Sequence, residues 1–338
     1  MSATAGRDTP GRSWDWRPAS MLPFTPPLLL LAGCTSEHSS FLDPQGPVAA
    51  AQRWHLFEVV ALVMIVVLPV LVLTPLIAWR YRRRNERSRY TPKWDFSWPL
   101  EVAIWGIPIA IVAVLAVLLW RSTHALDPYA PLRADTPPLR VQVVGLDWKW
   151  LFIYPEERIA SVGELAFPAD RPLALELTSD SVMQSFFIPA LGSQIYAMAG
   201  MVTKLHLEAD GPGRFEGENT QFNGMGFQKQ KFAAVAMPPG DFKAWVKTVR
   251  ANGIALDQAI YRKLARKSTP GKAYEELGTA AMPQDILYFN KVPSALFTTI
   301  VDKYRYGQAD EANRQTRAST NDAALAALRP VTRQEARQ

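Results

Sequence analysis

Residues able to do chemistry are sparse in this chain, and their types limit what it can do. There is one cysteine, Cys34, and there are four histidines, His38, His55, His124 and His206. A lone cysteine rules out a disulfide framework and any centre bridged by two thiolates. A mononuclear blue-copper site wants a Cys between two His. Here His206 stands far from the other three, in a segment reading LHLE that suits a partly exposed strand. Glu101 is placed differently, because it opens an apolar run of nineteen residues, Val102 to Trp120. A carboxylate at that boundary can collect and relay protons, or it can simply rest among wet headgroups. The stretch GENTQFNGMGFQKQKF, Gly217 to Phe232, holds glycines and amides with no Cys, His or acid after Glu218. Such a loop is equipped to hydrogen-bond across itself.

The elements that position these residues begin with two long apolar runs. Val59 to Ala78 is twenty residues without a charge, and Val102 to Trp120 follows as a second run. Each matches the roughly 20 residues that cross about 30 Å of hydrocarbon. Trp54, Trp79, Trp98 and Trp120 stand near the ends, where amphipathic rings favour the headgroup region. Pro69, Pro75 and Pro108 are expected to kink or locally distort these helices. We therefore read helices over 54–79 and 98–120. Between them, residues 80–97 carry seven Lys or Arg against two acids. The positive-inside rule places this loop in the cytoplasm and both chain ends outside. Topological anchoring is its simplest role; contact with cytoplasmic parts of neighbouring subunits is the sharper one. The net charge of +6 is explained by this map, and no nucleic-acid-binding motif accompanies it.

Upstream, PPLLLLAGC (Pro26 to Cys34) closes a short apolar stretch after Arg12 and Arg17. The pattern reads as a secretory signal over 1–33. Its LAGC ending resembles a bacterial lipobox, which implies cleavage before Cys34, lipidation of its thiol (palmitate among the acyl groups) and an outer segment over 34–53. Downstream, a Pro-rich linker (121–138) leads to short β-like runs: 139–145, 148–154, 173–179, 183–189, 202–209 and 231–237. Turn signals separate them, so an all-β sandwich or barrel is expected over 139–240. Trp148 and Trp150 alternate in one such run and are expected to pack on the same face. From Asp241 to residue 305 the pattern turns helical, with a last short helix around Leu296 to Tyr304. Residues 306–338 read as a loosely ordered tail.

Two spans with both ends outside, followed by a β-domain, resemble subunit II of the haem–copper respiratory oxidases. EVAIWGIP (101–108), GLDWKWLF (145–152) and SDSVMQSFFIP (179–189) resemble that family's second-helix start, aromatic strand and first ligand strand. The fold implied is a transmembrane hairpin carrying a cupredoxin-like sandwich, here with a helical C-terminal extension. In cytochrome c oxidases that domain holds a two-copper centre through two Cys, two His, one Met and a backbone carbonyl. On this resemblance Gln184 takes the place of the first His, and Asn219 and Asn223 those of the two Cys. Gln221 falls on the carbonyl donor, Phe227 on the second His and Gln230 on the Met. Every side-chain ligand is replaced.

Within the family this loss marks the quinol oxidases, and SVMQSFFIPALGSQIYAMAGM (181–201) looks especially like the bo-type ubiquinol oxidases. The resemblance implies a complex that oxidises ubiquinol, reduces oxygen and moves protons across a bacterial inner membrane. Haems and copper are expected in partner subunit I, with subunits III and IV and membrane lipids as further partners, and no cytochrome c. The glutamate matching Glu101 lies near the entrance of the proton channel named for a lysine of subunit I. Three rivals are a cytochrome c oxidase subunit II, a tethered binding or assembly lipoprotein, and a relative of nitric-oxide reductase. The first is opposed by the missing ligands.

Overall fold

The computed structural model describes residues 42–82, 85 and 93–305. The expected signal segment, Cys34, His38, most of the basic loop and the tail at 306–338 lie outside the described residues.

Helix α1 (Pro47–Arg80) and helix α2 (Trp98–Ala125) contain the two apolar runs and extend past them. At about 1.5 Å per residue α1 is long enough to cross the hydrocarbon and project beyond it. Its early start follows from Gly46 in extended backbone, Pro47 at the first helical position and a run of alanines. The helices continue through Pro69, Pro75 and Pro108. The expected linker is shorter than its sequence reading, because α2 persists to Ala125 and stops just before Asp127-Pro128. None of α2 is buried, and of α1 only Ala49 is. Both helices fit a membrane-anchored subunit.

Among the described residues twelve strands follow. In chain order they are β1 (Leu139–Leu146), β2 (Lys149–Tyr154), β3 (Ile159–Val162), β4 (Glu164–Pro168), β5 (Leu173–Ser179) and β6 (Gln184–Ile188). Then come β7 (Gly192–Ala197), β8 (Thr203–Leu207), β9 (Gly213–Asn219), β10 (Lys231–Met237), β11 (Ile254–Ala255) and β12 (Leu287–Asn290). They form a seven-stranded sheet, ordered β11-β12-β3-β2-β1-β5-β8, and a five-stranded sheet, ordered β4-β10-β9-β6-β7. The core between them is aromatic: Trp150 lies edge-on to Phe186 at 5.2 Å, and Phe186 stacks on Phe232 at 5.1 Å. Gly217 sits opposite Phe232, and a Cβ there would come within 2.1 Å of the ring. The glycine thus leaves room for the phenyl group to cover its own sheet.

The C-terminal extension is helical, as the sequence led one to expect, and it also carries two short strands. Helices α3 (Pro239–Asn252), α4 (Gln258–Leu264) and α5 (Pro270–Leu277) are present, as is a last helical stretch over 296–305. Yet β12 pairs with β3 and β11 pairs with β12, so part of the extension completes the larger sheet. The reason is an otherwise open edge on β3, which the aromatic LYFN segment covers.

The chain entering α1 is fastened to the sandwich. Gln45 N donates to Ala190 O (2.8 Å), Asp210 N donates to Gln45 O (2.9 Å), and Ala49 N donates to Leu191 O (3.2 Å). A Cβ at Gly46 would meet Glu208 O at 2.1 Å, so only glycine permits this approach.

Candidate functional site

At one end of the sandwich, the start of β6 and the β9–β10 loop bring four amide side chains into a single network. Gln184 and Gln230 are fully buried and Asn219 nearly so. Gln230 Nε2 donates to Gln184 Oε1. Leu146 O accepts from Gln184 Nε2 at 3.1 Å and from Gln230 Nε2 at 3.4 Å. Gln230 Oε1 accepts from Asn219 Nδ2 (3.0 Å) and Asn223 Nδ2 (2.7 Å). Asn219 Oδ1 accepts from the backbone N–H groups of Ser185 (2.9 Å) and Gln221 (3.0 Å). Asn219 Nδ2 also reaches Gln221 O at 2.8 Å. Gly145 on β1 leaves room for this cage, since a Cβ there would fall 2.7 Å from Gln184 Oε1.

Five of the six positions suggested by the resemblance are thereby brought together, with Gln221 contributing its backbone carbonyl. Phe227 stands apart: it begins a 3₁₀ turn (Phe227–Lys229) and packs on Phe222, ring centroids 5.9 Å apart. The donors that converge are neutral amides, each largely engaged with another. They do not fit a thiolate-bridged copper pair, which needs soft, anionic sulfur. Among the described residues no cluster of three or more His, Cys, Asp or Glu could hold a metal ion.

Trp148 closes the cage from outside and corrects a second expectation. It does not share a strand face with Trp150; it sits in the β1–β2 turn with φ +66°. Its indole N–H donates to Asn223 O at 3.3 Å, and its ring lies against Gly224 and Gly226. A Cβ on Gly226 would come within 2.0 Å of the indole, and Gly224 has φ +115°. Lys267, between α4 and α5, places its ammonium 4.9 Å from the indole centroid.

The extension grips this end of the sandwich through residues that sequence reasoning missed. Lys149 is fully buried, and its Nζ donates to Arg266 O (2.8 Å), Ser268 O (3.1 Å), Ser268 Oγ (3.0 Å) and Asp147 O (3.2 Å). Burial pushes its ammonium down to about 8, opposed by the charges of Asp147 and Glu276. Asp180, just after β5, accepts from Tyr261 Oη (2.7 Å) and Lys303 Nζ (2.7 Å), while Tyr304 Oη donates to Asp180 O (2.9 Å). Burial, then the charge of Asp180, raises the Tyr261 phenol above its ordinary value. The one sequence signal was a lysine set between two tryptophans in an apolar strand.

Lys149 carries a pH prediction. Between about 8 and 10.5 the unfolded chain holds a proton on Lys149 that the folded chain has released, so its contribution to stability increases as pH rises through this window. In Lys149→Met that increment is absent. Urea titrations of the full chain in detergent at pH 7.5 and 9.5 measure it, and identical pH slopes in the two proteins would contradict it.

Glu101 lies in the first turn of α2, where its carboxylate complements the helix dipole. Its Oε2 accepts from Trp105 Nε1 at 3.1 Å, one turn further along. His206 bonds Pro128 O through Nδ1 at 3.0 Å, and His55 Nε2 lies 3.3 Å from Ser122 Oγ.

A hairpin of two apolar helices bearing a two-sheet β-sandwich fits the membrane-anchored second subunit of a respiratory oxidase. Comparison with known proteins narrows the class. The chain is 46% identical over 281 residues to ubiquinol oxidase subunit 2 of Acetobacter aceti, covering 82% of this chain and 86% of that protein. It is 45% identical over 286 residues to cytochrome bo(3) ubiquinol oxidase subunit 2 of Pseudomonas putida, covering 84% and 85%. The chain belongs to the ubiquinol oxidase subunit 2 family. No family model matches it. Among solved structures, it is similar to the periplasmic domain of cytochrome oxidase subunit II from Bradyrhizobium japonicum (23% identity, TM-score 0.33, 35% of this chain and 96% of that one).

Proposed function

We propose that this chain is the non-haem second subunit of a complex that oxidises ubiquinol, reduces oxygen to water and moves protons across the bacterial inner membrane. The observation that carries this reading is the amide cage. Its neutral side chains occupy the places where a cytochrome c oxidase would receive electrons, so electrons reach the complex without a metal in this chain. Haems and copper belong to subunit I, and α1 and α2 pack against it, with subunits III and IV completing the assembly. Both termini face the periplasm, and Cys34 carries the lipid. The chain itself is not catalytic. The test is purification in mild detergent, followed by haem spectra and oxygen uptake. Rapid uptake with ubiquinol and none with reduced cytochrome c is expected; the reverse preference would overturn the reading.

Glu101 is the one proton-handling group proposed here. It stands at the cytoplasmic start of α2, where a carboxylate can take protons from water and deliver them to a channel in subunit I. Glu101→Gln keeps size and hydrogen bonding but removes the exchangeable charge. Turnover is expected to fall several-fold with haem content and assembly retained. Unchanged turnover at saturating quinol would eliminate the role.

A further inference from the structure

We propose that this chain holds a phospholipid of the leaflet in which α1 begins and α2 ends, gripping its phosphate in a cavity between the helix ends and the sandwich. The proposal rests on α1 and α2 spanning a membrane. The cavity measures about 480 Å³ and is lined by the first turn of α1, the chain leaving α2, and β8. That volume lies within the range of small-ligand sites.

Its lining combines polar and apolar groups. His124, Arg133 and His206 contribute the basic groups, while Val48, Leu132 and Leu205 are among the apolar ones. Both histidines have Nδ1 against a backbone carbonyl: His124 against Trp120 O at 2.8 Å and His206 against Pro128 O at 3.0 Å. In that tautomer Nε2 of each ring is left for a ligand, and it becomes a donor on protonation. Arg133 makes no hydrogen bond or ion pair among the described residues. The one acid on the lining, Asp127, already accepts from Tyr129 N at 2.9 Å. A guanidinium with two imidazoles suits a phosphodiester.

Depth identifies the source of that phosphate. The apolar run of α2 ends at Trp120, and Ala125 lies five residues beyond, about 8 Å along the axis. Headgroups occupy roughly the 5–8 Å outside the hydrocarbon on each side. His124, in the last turn of α2, therefore stands at headgroup height, and Arg133 and His206 line the same cavity.

The test is native mass spectrometry of the oxidase complex in mild detergent, titrated with dioleoyl phosphatidylglycerol. Arg133→Ala is expected to weaken one bound lipid about tenfold, the loss of one charge-assisted contact. Arg133→Ala with His206→Gln should abolish that binding. Arg133 is exposed and unbonded, so the single variant keeps the proposal testable if the double variant does not fold. Equal lipid occupancy in wild type and Arg133→Ala overturns the site, as does displacement of the lipid by inorganic phosphate. A chain released from membranes by carbonate washing would remove the spanning reading itself, and the proposal with it.

Discussion

Replacing Gln230 by methionine lowers the unfolding free energy of the sandwich by about 2–4 kcal/mol, although the two side chains have similar length and bulk. Gln230 is fully buried and joins four hydrogen bonds: to Leu146 O and Gln184 Oε1 as donor, from Asn219 and Asn223 as acceptor. A thioether can donate to none and accepts weakly. Gln184 Oε1 and two amide N–H groups are then left buried without their partner, and each carries a desolvation penalty of about 1–3 kcal/mol where it finds no other. Partial repacking reduces the sum. Gln228→Met, at an exposed position of the same loop, is the control and should change stability by less than about 0.5 kcal/mol. Urea unfolding of the full chain in detergent, followed by tryptophan fluorescence, reads the difference. If Gln230→Met matched Gln228→Met, the cage would not be a unit of stability.

Trp150→Ala is expected to cost about 3–5 kcal/mol, the range for deleting a buried aromatic side chain. The indole is 1% exposed and touches Phe186 and Phe232, so its removal opens a cavity where the two sheets meet. Trp150→Phe separates shape from polarity. Trp150 Nε1 is buried with no hydrogen-bond partner among the described residues. Phenylalanine therefore gives up no hydrogen bond, and it restores most of the apolar filling. The loss should be well under half that of alanine. Near-ultraviolet circular dichroism and thermal unfolding of the three proteins decide it. Equal losses for alanine and phenylalanine would mean that the N–H is engaged after all.

Particular residues show where sequence reasoning reached and where it stopped. Strands with alternating apolar residues, such as LRVQVVG and KFAAVAM, declared themselves because period-two patterning is a local property. Strands β3, β4, β7 and β9 did not. They are short or glycine-bearing, and their identity depends on neighbours such as β2 and β10 that supply the pairing. The extension's helices were legible, but its strands were not, for the same reason: LYFN becomes β12 only because β3 presents an open edge. Trp148 and Trp150 alternate in the chain, yet a left-handed turn residue at Trp148 breaks the alternation and sends one ring to the cage and the other to the core.

The sequence by itself determined the apolar spans, the placement of Glu101 at the head of the second, and the exclusion of a thiolate-bridged metal by a single cysteine. These follow from composition and local order, which no folding can alter. Only the tertiary structure decided that Gln184, Asn219, Asn223 and Gln230 bond one another, and that Lys149 and Asp180 fasten the extension against their loop. Those contacts join residues up to 124 positions apart. Whether a buried amide is a cost or a support depends on partners that only the closed sandwich supplies.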